Sequence, residues 1–367
     1  MSAYPRSITE LFRIEVPIIQ APMLGIVTAE MIIGVADAGG LGSLPASHLR
    51  SEEARGVVSG IRRRASKPIN VNFLCHGSPE RNPACEDAWV QRLAPYYAEL
   101  GLASDSSPLG IPVPAFGSAH CALLEEIKPE VVSFHFGLPP GDLLERVRRT
   151  GAKIVSSATT VEEAEWLEQA GCDAIIAQGL EAGGHRGTFL GHDVDAQIGT
   201  MALVPQIVDA VKVPVIAAGG IGDPRGVAAA FALGASAVQV GTAFLFCEEA
   251  NVSPLYRQAL RAARPEQTLV TNVLTGRPAR VCETRIVREL GPIAKDVPAF
   301  PLAAAALAPL RAASEPHGCT DFMPLWCGQA ARLSPELSAA ELTRWLSTPY
   351  QPRAQASSNR LAMAVDP

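Results

Sequence analysis

The chain has 367 residues, 48% of them hydrophobic and 19% charged, with a formal net charge of −6. That balance offers no basic field to recruit nucleic acid, and 5% aromatics leaves little for base stacking. The runs Arg62-Arg63-Arg64 and Arg146-Val147-Arg148-Arg149 fall on amphipathic helical patterns and read as solvated faces.

A mean hydropathy of +0.16 with few aromatics points to an interior of Ala, Val, Leu and Ile. Parallel strands covered by helices on both faces need that composition. The eight cysteines form no C-x-x-C pair and no zinc-type spacing with histidine, so no metal site is expected. The first residues lack a basic segment followed by an apolar stretch, and no apolar run reaches the ~20 residues of a membrane helix. A reduced cytoplasm is the expected compartment. A small molecule is the expected partner, with no nucleic acid and no membrane; oligomeric state is open.

Short apolar runs alternate with helical patterns along the chain, as in a parallel α/β sheet. Strands are expected at 17–23, 41–46, 69–74, 131–137, 153–158, 174–179, 214–220 and 237–244. Between them, 28–38 reads as a helix leaving at Gly39-Gly40, and Ser51 with Glu52-Glu53 opens another. Residues 160–171 form a capped helical pattern, and Asp223-Pro224 opens one that Gly234 closes. Eight units are compatible with an open doubly wound sheet, but the count favours a closed (β/α)₈ barrel over residues 1–265.

Two regions break the rhythm. Residues 76–130 are far longer than a crossover requires, with a helix expected near 85–100 and a Pro/Gly-rich passage at 107–114; such an insertion suits a lid or wall. Residues 266–350 lack β/α alternation and are expected to form an accessory, mainly helical region packed on the barrel. Helices are expected near 302–313 and at 338–346, where Ser338 and Glu341 have capping-box spacing. The polar tail 351–367 is expected to be mobile.

Barrel chemistry belongs to the C-terminal strand ends. There the sequence places Gln20-Ala-Pro-Met23, Asn70-Val-Asn72, His135-Phe-Gly137, Gln178-Gly179, Gly219-Gly220 and Gly241-Thr242. The glycine turns after the seventh and eighth strands let backbone N–H groups approach an anion at a helix N-terminus. That phosphate could belong to FMN, a sugar phosphate or a nucleotide. Gln178-Gly-Leu-Glu-Ala-Gly-Gly-His185-Arg-Gly sends a strand into a glycine-rich loop bearing one histidine, the side chain best matched to proton transfer near neutral pH. His135, between two phenylalanines, is the rival: a cavity residue or a hydrogen-bonded core histidine. Gln178 and Asn72 offer amides of the kind a flavin's pyrimidine edge needs, and the turn at Pro22 could lie beneath the ring. Cys247 and Cys327, with no histidine beside them in sequence, read as small buried residues.

Together, Gln20-Ala-Pro-Met23, Asn70-Val-Asn-Phe73, Gln178-Gly-x-Glu-Ala-Gly-Gly-His185-x-Gly, Ala218-Gly-Gly-Ile221 and Gln239-Val-Gly-Thr242-Ala-Phe resemble the nitronate monooxygenases, formerly called 2-nitropropane dioxygenases. The likeness runs from about residue 17 to 260 and more faintly through 270–277 and 325–329. It implies non-covalent FMN and oxidation of alkyl nitronates, such as propionate 3-nitronate, by O₂ to a carbonyl compound and nitrite. It assigns FMN contacts to Met23, Asn72, Gln178, Gly183, Gly220, Gln239, Val240, Gly241 and Thr242. His185 matches the family's active-site histidine. Tyr96, Tyr97 and Tyr256 are the candidates for the substrate tyrosines of that family. Two other readings share the frame: an FMN-dependent NAD(P)H:quinone or enoyl-thioester reductase, and a non-redox phosphate-ligand barrel. No G-x-G-x-x-G follows a strand, which argues mildly against a nicotinamide domain.

Overall fold

The computed structural model describes residues 6–103, 113–191, 194 and 196–350. Residues 107–112 of the expected Pro/Gly-rich passage, and the tail from 351, lie outside the described residues. All eight expected strands form, two with the expected span and six in shorter spans. They are β1 (Ile18–Gln20), β2 (Gly42–Pro45), β3 (Ile69–Leu74), β4 (Val131–His135), β5 (Lys153–Ala158) and β6 (Ala174–Gln178), then, after a two-residue β7 (Gly184–His185) outside the ring, β8 (Val215–Ala218) and β9 (Ala237–Val240).

Every ring pairing is parallel, with β1 beside β9 in the register Ile18 to Val238. The ring closes between β1 and β2 through one parallel bridge, Ile19 to Leu41. There Leu41 N donates to Ile18 O and Gln20 N to Leu41 O, each at 3.0 Å. The fold is a (β/α)₈ barrel.

The expected caps form. Thr28 Oγ1 accepts from Met31 N, and Thr160 Oγ1 from Glu163 N at 3.1 Å. Asp223 Oδ1 accepts from the amides of Arg225 and Gly226, with Pro224 at the first helical position. Each satisfies amides that a helix start leaves orphaned, worth ~1 kcal/mol.

Successive strand residues point to opposite faces. Ile19, Leu41, Val131, Val155, Ala174 and Ala237 point inward at the N-terminal end, and with Ile8 and Phe12 of the helix Arg6–Phe12 they close the floor as one apolar cluster. Further along the same faces the residues become polar: Asn72, Ser133, His135, Ser157, Gln178 and Gln239. A dry floor under a polar rim confines any ligand to the C-terminal mouth.

Outside the ring lies a second core. β10 (Thr268–Thr271) and β11 (Ala279–Cys282) pair antiparallel, and β11 also pairs with β7, setting Ala279 against His185. Trp89, Leu93, Tyr96 and Tyr97 of the helix Pro83–Glu99 pack with Val281, Ile286, Leu307 and Phe322. The insertion after β3 thus contributes a helix to the accessory core rather than serving the mouth alone. Beside its helices the accessory region holds β10 and β11, four-residue strands without clean alternation, too short to be legible. The helix Ala339–Leu346, with its Ser338–Glu341 capping box, instead packs Ala339, Leu342 and Leu346 into the main barrel–helix cluster.

Candidate active site

The mouth of the barrel holds a cavity of about 370 Å³, within the range of small-molecule and cofactor sites. Met23, Asn72, Gln178 and Gly183 line it, as do Gly220, Gln239, Gly241, Thr242 and His185. Val240 does not. Its side chain is 1% exposed and belongs to the barrel–helix core, while its carbonyl accepts from Ala21 N at 2.8 Å. The period-two alternation that turns Gln239 inward turns Val240 outward.

On one wall, Gly219 and Gly220 take φ of +116° and +68°, the left-handed region that favours glycine. A Cβ on Gly219 would lie 2.9 Å from Thr200 Oγ1. Thr242 opens the short 3₁₀ helix Thr242–Phe246. Among the described residues no acceptor is paired with the amides of Gly220 and Thr242. Two unspent N–H groups on one cavity wall suit an anion. Glu181, the one carboxylate among the described residues lining the cavity, is already engaged: it accepts from Thr200 N and, at 2.8 Å, from Thr200 Oγ1, capping the helix Thr200–Ala210.

The loop between Gln178 and Gly187 is held by its carbonyls. Arg186, 1% exposed, donates to Gly179 O at 2.8 Å, Gln178 O at 2.9 Å and Gln197 Oε1 at 2.8 Å. Arg280 of β11 donates to Leu180 O at 2.8 Å and to Thr268 O and Oγ1. Burial lowers the Arg186 guanidinium to about 10, still charged at neutral pH. Gly183 meets the segment after Trp326 so closely that a Cβ would stand 2.5 Å from Gly328 N.

His185 Nε2 lies 2.9 Å from Thr275 Oγ1. Thr275 has one hydroxyl hydrogen and a second acceptor, Arg277 O, at 3.3 Å. With that hydrogen given to Arg277, His185 carries its proton on Nε2 and keeps the Nδ1 lone pair; with it given to His185 Nε2, the nearer acceptor, Nδ1 carries the ring proton and can donate. Its ring stands edge-on to Phe300 and Phe136 and 5.1 Å from Trp326. Burial, then the neighbouring His135 and Arg277, push the imidazole down to about 3, so it is neutral across the physiological range.

His135 also lines the cavity, but both its nitrogens are committed. Nε2 donates to His185 O at 3.0 Å, since a carbonyl can only accept, which leaves Nδ1 to accept from Ser157 Oγ at 2.5 Å. Burial lowers it to about 4, consistent with a neutral ring. It supports the His185 backbone. Asn72 Nδ2 donates to Ser133 O and Oγ, and Asn70 Nδ2 to Ser43 Oγ and Ser133 Oγ, tying β2, β3 and β4 together beneath the cavity.

Sequence reasoning gave no role to Thr275, Phe136 and Phe300, which meet His185 through the accessory region and the β4 exit, or to Arg277, which lies against Phe136. A weak signal existed in the paired turn residues Phe136-Gly137 and Thr275-Gly276. Of the three tyrosine candidates, Tyr256 lines the cavity, its hydroxyl donating to Trp326 O at 2.9 Å. Tyr96 and Tyr97 belong to the accessory core. Cys247 and Cys327 are free and buried, as expected.

Residues 6–348 match the family model for nitronate monooxygenases. The chain belongs to the nitronate monooxygenase family. It is 42% identical to a nitronate monooxygenase of Pseudomonas aeruginosa, over 92% of this chain and 97% of that one. Identity to a nitronate monooxygenase of Paraburkholderia phytofirmans is 40%, over 93% and 94% of the two chains. Its fold superposes on a nitroalkane oxidase from Streptomyces ansochromogenes with a TM-score of 0.82 and 36% identity, covering 93% and 96%. Membership makes it an oxidoreductase acting on a small molecule, in a class of flavin-dependent enzymes. Among the described residues no helix is long and apolar enough to cross a membrane, and no cluster could hold a metal ion.

Proposed function

We propose that this enzyme oxidises alkyl nitronates with O₂ to a carbonyl compound and nitrite, and that FMN is the flavin it holds. Two nitronate anions and one O₂ balance two carbonyl compounds and two nitrite ions. The observation that carries the reading is a neutral, aromatic-walled His185 on the same cavity as two unpaired glycine-turn amides. The amides of Gly220 and Thr242, with Gly241 between strand and 3₁₀ helix, suit the phosphate. Met23, Asn72, Gln178, Gly183 and Gln239 supply the remaining wall. Bound there, FMN would supply the electron acceptor.

The protein's own contribution is binding and orientation. An imidazole held near 3 is a weak base, so a nitronate formed beforehand is favoured over a neutral nitroalkane as substrate. With its proton on Nδ1, His185 orients the nitro oxygens by donating a hydrogen bond; with the proton on Nε2, its free Nδ1 takes the α-proton of a neutral nitroalkane. Phe300 and Trp326 keep water from that point.

The test is a flavin spectrum of the purified protein, then oxygen uptake and nitrite release with propionate 3-nitronate and with longer alkyl nitronates. A yellow protein releasing nitrite supports the reading. No turnover of any nitronate, with rapid anaerobic bleaching by NADH or NADPH, replaces it with a reductase. A colourless protein that takes up no FMN replaces it with a non-redox barrel.

A further inference from the structure

Behind the wall that carries His185 lies a charge the cavity does not see directly. Phe136, at the exit of β4, takes φ +76°, a conformation rare for a bulky residue, and Gly137 follows at +87°. Its buried ring touches the imidazoles of His135 and His185 and the ring of Phe300. Over its face stands the guanidinium of Arg277, Cζ 3.7 Å from the ring centroid. Strained residues of this kind persist where surrounding structure over-determines them, and they concentrate at functional sites.

Arg277 is fixed on several sides. Its Nη2 donates to Thr188 O, and its backbone N and O both meet Thr275 Oγ1, the same hydroxyl that meets His185 Nε2. Its Nε is buried without a hydrogen-bond partner. Burial lowers it to about 10, so it is a cation at neutral pH. No Lys or Arg is among the described residues lining the cavity, whose ionisable groups are Glu181, His135, His185 and Tyr256. A substrate anion against a neutral imidazole therefore finds its positive potential one ring away.

We propose that Arg277 supplies the positive charge for an anionic substrate at His185 and, through Phe136, holds that imidazole in place. Arg277 is a positioning residue, since its guanidinium lies against Phe136 and does not line the cavity. The other charged or titratable groups around this point are accounted for. Glu163 acts on Arg277 but spends its carboxylate on the amides of Thr159, Phe189 and Leu190 and on Thr159 Oγ1. Glu181 caps a helix, Arg186 and Arg280 bind loop carbonyls, the Tyr256 hydroxyl donates to Trp326 O, His135 is neutral, and His76 packs edge-on with Phe300. Among the described residues Arg277 is left as the cation acting on the imidazole whose guanidinium forms no ion pair with a carboxylate.

The inference rests on the reading of His185 as the substrate-binding residue, and the experiment separates the two. Holoenzyme of wild type, Arg277→Met and Arg277→Lys is compared on a nitronate and on its neutral nitroalkane, with flavin content and melting temperature measured alongside. Arg277→Met should raise KM for the nitronate roughly tenfold or more, as expected for losing one charge at this range, and change KM for the nitroalkane little. Arg277→Lys should recover most of the nitronate KM while kcat stays low, because an ammonium keeps the charge but not the planar stack. Phe136→Leu should lower kcat with the nitronate KM nearly unchanged. The proposal is overturned if both KM values move together, if neither moves, or if lysine is no better than methionine. Should Arg277→Met not fold, the lysine and Phe136 variants decide on the same criteria. Failure of His185→Asn to alter any turnover would instead remove the underlying reading of the site.

Discussion

Gln178 and His185 are joined through the loop they bound: Gln178 Nε2 donates to His185 O at 3.0 Å, while its Oε1 accepts from Gly187 N at 2.8 Å. His135 Nε2 donates to the same His185 carbonyl. A glycine-rich loop that would otherwise sample many conformations is thereby locked onto the barrel at the residue that matters. Gln178→Glu removes the donor and sets a carboxylate against a carbonyl, a buried mismatch of about 1–3 kcal/mol. Turnover should fall at least tenfold and FMN should bind more weakly, read by flavin fluorescence during dilution. Unchanged values for both would show that His135 alone suffices.

His185→Asn keeps a hydrogen-bonding group but loses the basic nitrogen. Residual turnover of neutral nitroalkanes should drop by roughly 10²–10⁴-fold, the usual scale for loss of a general base. Turnover of a preformed nitronate should drop less, because no α-proton has to be removed. Flavin content should stay at the wild-type level; the ratio of the two rates, measured by nitrite release, is the readout.

Buried neutral histidines make the fold sensitive to acid. His185 and His135 are held at about 3 and about 4, against 6.5 for an unhindered imidazole. Between those values and 6.5 the unfolded chain binds more protons than the folded one, so stability rises with pH there. The contribution is fully present above pH ~6.5 and is lost as pH falls towards 4 and then 3, by several kcal/mol for the pair. Denaturant midpoints should fall steeply over that window, and His135→Gln should flatten the fall. A midpoint independent of pH from 7 to 4 would contradict this account.

Gly183→Ala places a methyl group 2.5 Å from Gly328 N and 2.7 Å from the Cys327 carbonyl carbon. Neither backbone atom can swing aside as a flexible side chain would. The loop and the Trp326–Gly328 segment must part, at a cost of about 1–3 kcal/mol. The variant should melt lower and take up FMN poorly, whereas Gly191→Ala, with open space around its Cβ position, should match the wild type.

The amino-acid order by itself determined the barrel and its working end. Eight apolar runs, helix caps such as Thr160 and Asp223, and glycine exits are local signals, each readable within a dozen residues, and they added up to one architecture. The polar residues and glycines at the strand ends were legible from local pattern, whereas the direction that turns the Val240 side chain away from the cavity shows only in the fold. Only the tertiary structure decided what surrounds His185. Thr275 lies 90 residues away along the chain, and the Arg277 Nη2 that reaches Thr188 O spans 89. The four-residue strands that bring them there carry too little pattern to be seen. The commitment of His135 was likewise settled by Ser157, on the next strand, and by the His185 carbonyl, 50 residues along the chain. Such contacts depend on how the barrel and the accessory core are set against each other, and no local periodicity encodes that.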